Sequence, residues 1–250
     1  MRDAGFEHAL MVERDAKCIQ TLSQNSWGNA VRHADVTEVD FTPYAGVVDV
    51  VCGGVPCQPF SGAGQLKGKY DERNLFDEAV RCVREVQPRA FLFENVTGLL
   101  RVRFDEYRNH VIQNFEQLGY YVAVHKTRAV DFGVPQNRVR VMIVGLLRAH
   151  APSSSFVLPA ATVEQPVPLR TVLERLGPPD NTNGHNQHKT RPKVYGHHGP
   201  SMLDKPAKTL LAGSSGPGGG NGSVQMDDGS IRYLTLREMA CVQGFDTSYK

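Results

Sequence analysis

No two cysteines in this chain form a C-x-x-C pair, and the five present, at positions 18, 52, 57, 82 and 241, are odd in number and irregularly spaced. That pattern excludes a disulfide framework and a cysteine zinc site, and it fits free thiols in a reducing, intracellular compartment. No apolar run approaches the roughly 20 residues needed to span a bilayer. The opening stretch, MRDAGFEHAL, is interrupted by acids and a histidine too early to read as a signal peptide. Net charge is also scarce, +2 from 28 basic and 26 acidic side chains, so nucleic-acid binding would require the cations to cluster on one face. No internal repeat is visible. With 250 residues, 40% hydrophobic and 22% charged, the chain has an ordinary globular composition. It is long enough for one large domain, alone or with a small second one.

The first 150 residues alternate apolar runs with amphipathic stretches. Strands are expected at 8–12, 47–52, 90–93, 121–125 and 139–147. Leu75, Phe76, Ala79, Val80, Val83 and Val86 fall near helical spacing, as do Val111, Ile112, Phe115 and Leu118. Strands alternating with helices predict an α/β fold with a mostly parallel sheet covered on both faces. The last two strands have no helix between them and are expected to form an antiparallel hairpin. From 152 to about 229 the chain is rich in Pro, Gly, Ser, Asn and His, and GSSGPGGGNG at 213–222 suits neither a helix nor a central strand. A small irregular domain with long loops is expected there. A helix follows over 235–243, where Thr235 can cap and Glu238 stands three residues later.

Three segments carry chemistry. In VVDVVCGGVPCQPFS, residues 47–61, an apolar strand runs into Gly53 and Gly54 and then into Pro56, Cys57, Gln58, Pro59, Phe60 and Ser61. Ligands of parallel α/β sheets bind outside the carboxyl ends of strands, so Cys57 is presented where a ligand would sit. The glycines permit close backbone approach, and the prolines stiffen the loop. Most free cysteines are buried packing residues. Cys18, Cys52, Cys82 and Cys241 keep that reading, whereas a loop so rich in Gly and Pro is a poor place to bury Cys57. One strand later, AFLFENV at 90–96 ends in Glu94 and Asn95. If the two strands are neighbours, Cys57 and Glu94 share a cleft. In Gln136-Asn137-Arg138-Val139-Arg140, alternation puts Gln136, Arg138 and Arg140 on one face of an extended segment. Two aligned guanidiniums suit a phosphate or a carboxylate.

PCQPFS, ENV and QNRVR, in this order, resemble the blocks of DNA cytosine-5 methyltransferases. The resemblance extends through ADVTEVDF at 34–41, Arg73-Asn74-Leu75-Phe76 and RYLTLREMACVQGF at 232–245, and so covers nearly the whole chain. It implies a Rossmann-like fold of the S-adenosylmethionine-dependent methyltransferase kind. It also implies transfer of a methyl group from S-adenosylmethionine to carbon 5 of a cytosine flipped out of double-stranded DNA. By the same resemblance Cys57 is the nucleophile that adds at carbon 6. Glu94 meets the cytosine N3 and exocyclic amine, and Arg140 assists with Arg138 nearby. Pro56, Gln58, Ser61, Asn95 and Gln136 would line the substrate side. Glu13, which ends an apolar run, would hold the ribose hydroxyls. Asp35 and Val36 would meet the adenine, and Leu75 would pack on it. No metal is implied, because the histidines of the later region lack cysteine partners and ligand spacing.

The implied organisation is a catalytic and cofactor-binding domain at 1–151, a target-recognition region at 152–229 and a return segment to the catalytic domain at 230–250. His185, His188, Lys189, Arg191, Lys193, His197 and His198 would then serve phosphates and base edges. Two blocks of the family pattern are not found, the opening Phe-x-Gly-x-Gly type turn and the closing Gly-Asn block. The expectation is therefore a fragment or one half of a split enzyme, partnered by a complementing polypeptide and weak in methyl transfer by itself. Rival readings keep the chemistry but take tRNA, or keep DNA binding without turnover. The compactness suggests a prokaryotic restriction-modification enzyme, cytoplasmic and associated with the nucleoid.

Overall fold

Val50, Val51 and Cys52 begin a strand that ends in two glycines, β3 (Val50–Gly54), as expected from the sequence. The computed structural model describes residues 4–27, 29–56, 75–151, 156–182, 184–190, 192, 199–211 and 222–250. The chain divides into two compact units: Met1–Lys126 with Arg140–Leu158, and Thr127–Val139 with Pro159–Lys250.

In the first unit, β1 (Met11–Glu13) pairs in parallel with β2 (Val31–His33). Between them lies α1 (Ala16–Leu22), capped by Asp15, whose carboxylate accepts from the Lys17 and Cys18 N–H groups. A separate sheet has the order β3, β4 (Ala90–Asn95), β7 (Val139–Leu147), β5 (Tyr120–Arg128). β3 and β4 are parallel, with Gly54 opposite Glu94, and β7 is antiparallel to β4, with Met142 opposite Glu94. The Arg148 N–H donates to the Gly119 carbonyl at one end of β5 and β7, and the Ala129 N–H to the Arg138 carbonyl at the other. Those bonds join opposite strand ends, so β5 and β7 form the expected antiparallel hairpin. No helix among the described residues is long and apolar enough to cross a membrane.

Alternation along β4 sends Phe91, Phe93 and Asn95 to one face and Leu92 and Glu94 to the other. The Phe91 and Phe93 face packs against α2 (Phe76–Val86) and α3 (Asp105–Gln117), which contribute Phe76, Val80, Val83, Val111 and Phe115 to one core. Phe91 lies 4.3 Å from Phe115 and 5.2 Å from Tyr120 between ring centroids. It sits opposite Gly145 of β7, where any side chain would meet its ring. A second cluster in this unit, Val39, Phe41 and Val86, gathers Leu10, Val12, Val36 and Val51 around it.

The second unit has its own core, built from Leu169, Val172, Leu173, Leu203, Ala207, Val224, Leu234, Cys241 and Val242. The irregular domain expected over 152–229 holds more regular structure than its composition announced. It includes α4 (Leu169–Leu176), with Leu169, Val172 and Leu173 buried. α4 has no side-chain cap, and its first N–H groups are instead met by the Lys205 and Leu203 carbonyls. β8 (Ser201–Met202), β10 (Ser223–Gln225) and β11 (Ile231–Tyr233) form a small sheet, and β6 (Gln136–Asn137) pairs with β9 (Ala207–Lys208). The Gly-rich run at 213–222 lies outside the described residues except for Gly222.

Residues 230–250, expected to return to the catalytic domain, pack within this second unit. The reason lies in α5 (Leu236–Val242), which has the full capping box expected of Thr235 and Glu238. Glu238 is buried, and both its carboxylate oxygens accept from Arg232 of β11, at 2.7 and 2.8 Å. The α5 start also takes the Gly184 carbonyl as a partner for the Arg237 N–H.

Candidate active site

The carboxyl ends of β3 and β4 carry the first group of candidate residues. Glu94 and Arg140 belong to neighbouring strands and point to the same face, and Arg140 Nε lies 2.7 Å from Glu94 Oε1. Both side chains are largely covered, that of Arg140 at 16% exposure and that of Glu94 at 32%. On the other side of Glu94, Gly54 offers no side chain, and a Cβ there would come within 3.7 Å of Glu94 Oε2. A side chain at that position would make ordinary contact with the carboxylate.

Asn95 was expected to face the substrate, but it turns to the opposite side of β4 and is fully buried. Its Nδ2 donates to the Val55 carbonyl at 3.2 Å, and its Oδ1 accepts from the Val96 N–H at 2.9 Å. With both ends of the amide spent on backbone, Asn95 braces the loop that leaves β3. Pro56 follows on that loop and is half-buried. Cys57, Gln58 and Ser61 lie outside the described residues.

Gln136, Arg138 and Arg140 do not share one extended face. The Arg138 N–H bonds back to the Gln136 carbonyl at 2.8 Å, which breaks the segment into β6 and β7. Gln136 pairs with Ala207 in the second unit, fully buried, and neither end of its amide has a protein partner among the described residues. Arg138 is half-buried and also belongs to the second unit. His185 is another correction. It was expected to be available to DNA, but it is buried, with Nδ1 2.9 Å from the Thr235 hydroxyl and Nε2 3.2 Å from the Gly177 carbonyl. His188 stands half-buried, edge-on to Tyr233, and Lys189 is exposed. Arg191, Lys193, His197 and His198 lie outside the described residues.

The expected cofactor residues gather at the carboxyl ends of the β1–β2 pair. Glu13 ends β1 opposite His33, and Asp35 follows β2 by two residues. Glu13 Oε1 accepts from the Arg14 and Asp15 N–H groups at 2.7 and 2.8 Å, which orients the carboxylate. No protein hydrogen bond to its Oε2 is found among the described residues. Asp35 Oδ1 accepts from the Thr37 N–H at 3.0 Å and the Thr37 hydroxyl at 2.8 Å. Those bonds, chiefly the one from the Thr37 backbone, hold its carboxyl below the ordinary range and keep it ionised. Val36 rests on the Val39, Phe41 and Val86 cluster. Leu75 stands at the head of α2 against the Phe91 cluster. A free carboxylate oxygen at a parallel strand end, an acid next to it and a half-buried aliphatic surface suit a ribose diol and an adenine ring. The residues present therefore fit a nucleoside-containing cofactor.

Strands, helices and strand-end acids in this arrangement are those of the methyltransferase fold. The chain superimposes on the Dnmt2 methyltransferase of S. pombe with a TM-score of 0.69, covering 98% of this chain and 81% of that one at 18% identity. It does so equally on a triple mutant of Spodoptera frugiperda DNMT2, with a TM-score of 0.72, 100% and 85% coverage and 14% identity. The sequence takes the assignment further: residues 1–198 match the model of the C-5 cytosine-specific DNA methylase family, and the chain belongs to that family. It is 40% identical over 184 residues to the type II methyltransferase M.NgoMIV of Neisseria gonorrhoeae, and 38% identical over 178 residues to M.NaeI of Lentzea aerocolonigenes. Those matches cover 73% and 70% of this chain but only 58% and 43% of the relatives' own length.

Proposed function

We propose that this chain transfers a methyl group to carbon 5 of cytosine in DNA through a covalent adduct with Cys57. The observation that carries the proposal is the Glu94–Arg140 pair at the carboxyl ends of β3 and β4, with Gly54 next to it. The loop bearing Cys57 starts from a carbonyl fixed by Asn95.

Carbon 5 of cytosine is a weak nucleophile. The Cys57 thiolate adds to carbon 6, and the ring electrons move toward N3, where Glu94 shares a proton with the ring. Arg140 keeps the Glu94 carboxyl in place and offers positive charge to the electron-rich ring, an electrostatic contribution made where charge develops. Carbon 5 would then take the methyl group as the donor's methyl–sulfur bond breaks and leaves a neutral thioether; carbon 5 loses its proton to a base or water, and the carbon 6–sulfur bond breaks to return the Cys57 thiolate. When bound, S-adenosylmethionine supplies the electrophilic methyl group. Glu13 would hold its ribose hydroxyls, Asp35 and Val36 its adenine, and Leu75 would pack on the ring. The region 152–229 would carry target recognition on double-stranded DNA, with Lys189 among its exposed cations. Arg138 and Gln136 would support the substrate side, as the resemblance implies.

The test is transfer of labelled methyl from S-adenosylmethionine to long unmethylated DNA, with tRNA and a Cys57→Ala variant alongside. Label on DNA cytosine carbon 5 that vanishes in the variant supports the proposal. Label on tRNA alone, or label on DNA that survives Cys57→Ala, overturns it.

A further inference from the structure

We propose that Arg81 is a positioning residue for the cofactor pocket, holding the Asp35–Val36 segment to α2 by its backbone. This rests on the reading of Asp35 and Val36 as cofactor residues.

Arg81 stands midway along α2. Its guanidinium uses all three nitrogens at once. Nη2 donates to the Val36 carbonyl at 2.8 Å and Nη1 to the Val39 carbonyl at 2.9 Å. Nε donates to Glu78 Oε2 at 2.7 Å, and Nη1 also reaches Glu85 Oε1 at 3.0 Å. The other Glu85 oxygen accepts from the Phe41 N–H at 3.0 Å. The guanidinium also lies 5.3 Å from the centre of the Phe41 ring. Two acids one turn before and after Arg81 thus fix the fork, and the fork fixes a stretch of chain some 40 residues earlier. Only a planar guanidinium can do this, because an ammonium has neither the reach nor the geometry for two carbonyls and two carboxylates.

The turn that Arg81 grips is a single short 3-10 turn, Val36–Glu38, capped by Asp35. Such a turn has little intrinsic stability. Among the described residues its apolar anchors are Val36 and Val39, on the Val39–Phe41–Val86 cluster. Without the guanidinium, the Val36 and Val39 carbonyls lose these partners, and the Glu78 and Glu85 carboxylates repel each other beside them. Cofactor binding would then have to order the segment as well as contact it, and that ordering lowers affinity.

The experiment measures calorimetric binding of S-adenosylhomocysteine to the full chain, with hydrogen exchange at residues 35–41 read alongside. Arg81→Met should lose about tenfold in affinity, equivalent to roughly 1.4 kcal/mol. Its amides at 39 and 41 should exchange faster, while those of β4 do not change. Arg81→Lys, which can reach one carbonyl, should fall between the two and guards against a folding failure of Arg81→Met. Val80→Ala, a core truncation on the same helix, should keep wild-type affinity despite its lower stability. Wild-type affinity in Arg81→Met, or an equal loss in Val80→Ala, would overturn the positioning role alone. Absence of binding by the wild-type chain would overturn the cofactor reading and this inference with it.

Discussion

Removing Arg232 should destabilise the second unit more than removing both members of its ion pair. The Glu238 carboxylate is 1% exposed and accepts from both terminal nitrogens of Arg232 and, at 2.7 Å, from the Thr235 N–H. In Arg232→Met the two charge-assisted bonds are lost, and the buried carboxylate keeps only the backbone donor. Breaking a buried pair from one side costs about 3–5 kcal/mol, most of it the penalty of the stranded charge. In the double variant Arg232→Met with Glu238→Met, no charge remains to be stranded. The Thr235 N–H loses its acceptor, a capping loss of about 1 kcal/mol. The Thr235 hydroxyl still accepts from the residue-238 N–H, because that arm of the box is backbone. The double variant should therefore be the more stable of the two by roughly 2 kcal/mol or more.

Urea unfolding followed by hydrogen exchange at β11 and α5 amides reads the effect where it occurs. Hydrogen exchange at β4 amides supplies a separate reference from the first unit. If the double variant proves less stable than Arg232→Met, the stranded-charge argument is wrong. The pair would then be a net source of stability in its own right.

Gly145→Ala would put a methyl group into the Phe91 ring and should cost about 1–3 kcal/mol or more, recovered in part by Phe91→Leu, as thermal unfolding would report. Glu94→Gln should leave DNA affinity within a few-fold of wild type while lowering kcat by about 10²–10³, and single-turnover methylation separates the two effects. Burial raises the Cys82 thiol from 9.0 to about 12 and the Tyr120 phenol from 10.0 to about 12. Both folded values exceed the unfolded ones, so this stability is whole below pH 9 and is lost as pH climbs toward 12. Denaturant midpoints between pH 8 and 11 should fall less steeply in Cys82→Ala with Tyr120→Phe, and parallel slopes would refute the assignment. Gln136→Met removes a buried amide with no protein partner among the described residues and should stabilise by about 1–2 kcal/mol. A destabilised variant would mean that the amide is in use.

Strand ends were the most legible part of the fold. In β3 and β4 an apolar run stops at Gly-Gly in one case and at Glu-Asn in the other, and parallel pairing then brings those ends together. The α5 cap was equally plain, because Thr235 and Glu238 act on residues three apart and need no tertiary information. α4 had a readable signal that composition obscured: Leu169, Val172, Leu173 and Leu176 repeat at helical spacing inside a stretch otherwise rich in turn formers. The failure at Gln136-Asn137-Arg138-Val139-Arg140 has a different cause. Alternation assumes an unbroken strand, and the turn at Arg138 depends on β6 and β7 joining different sheets, which no local pattern announces.

The same division separates groups that do chemistry from groups that hold them. Glu94 could be singled out because its strand end neighbours that of β3 and because ENV follows PCQPFS and precedes QNRVR. Arg81 reads as no more than the centre of two helical ion pairs, Glu78 at i−3 and Glu85 at i+4, which on an exposed helix contribute a few tenths of a kcal/mol. Its importance comes from two carbonyls more than 40 residues away, and carbonyls leave no trace in sequence because every residue has one. Asn95 was misassigned for the same reason, since its partner is the Val55 carbonyl. Polar side chains next to a catalytic block should therefore be read first as candidates for backbone support. Side chains whose partners are other side chains can be read earlier, and more safely, as chemistry. Asn95→Ala should then impair the loop that leads to Cys57 without removing a substrate contact. Lower kcat with unchanged DNA affinity would fit that account, whereas a loss confined to DNA affinity would return Asn95 to the substrate.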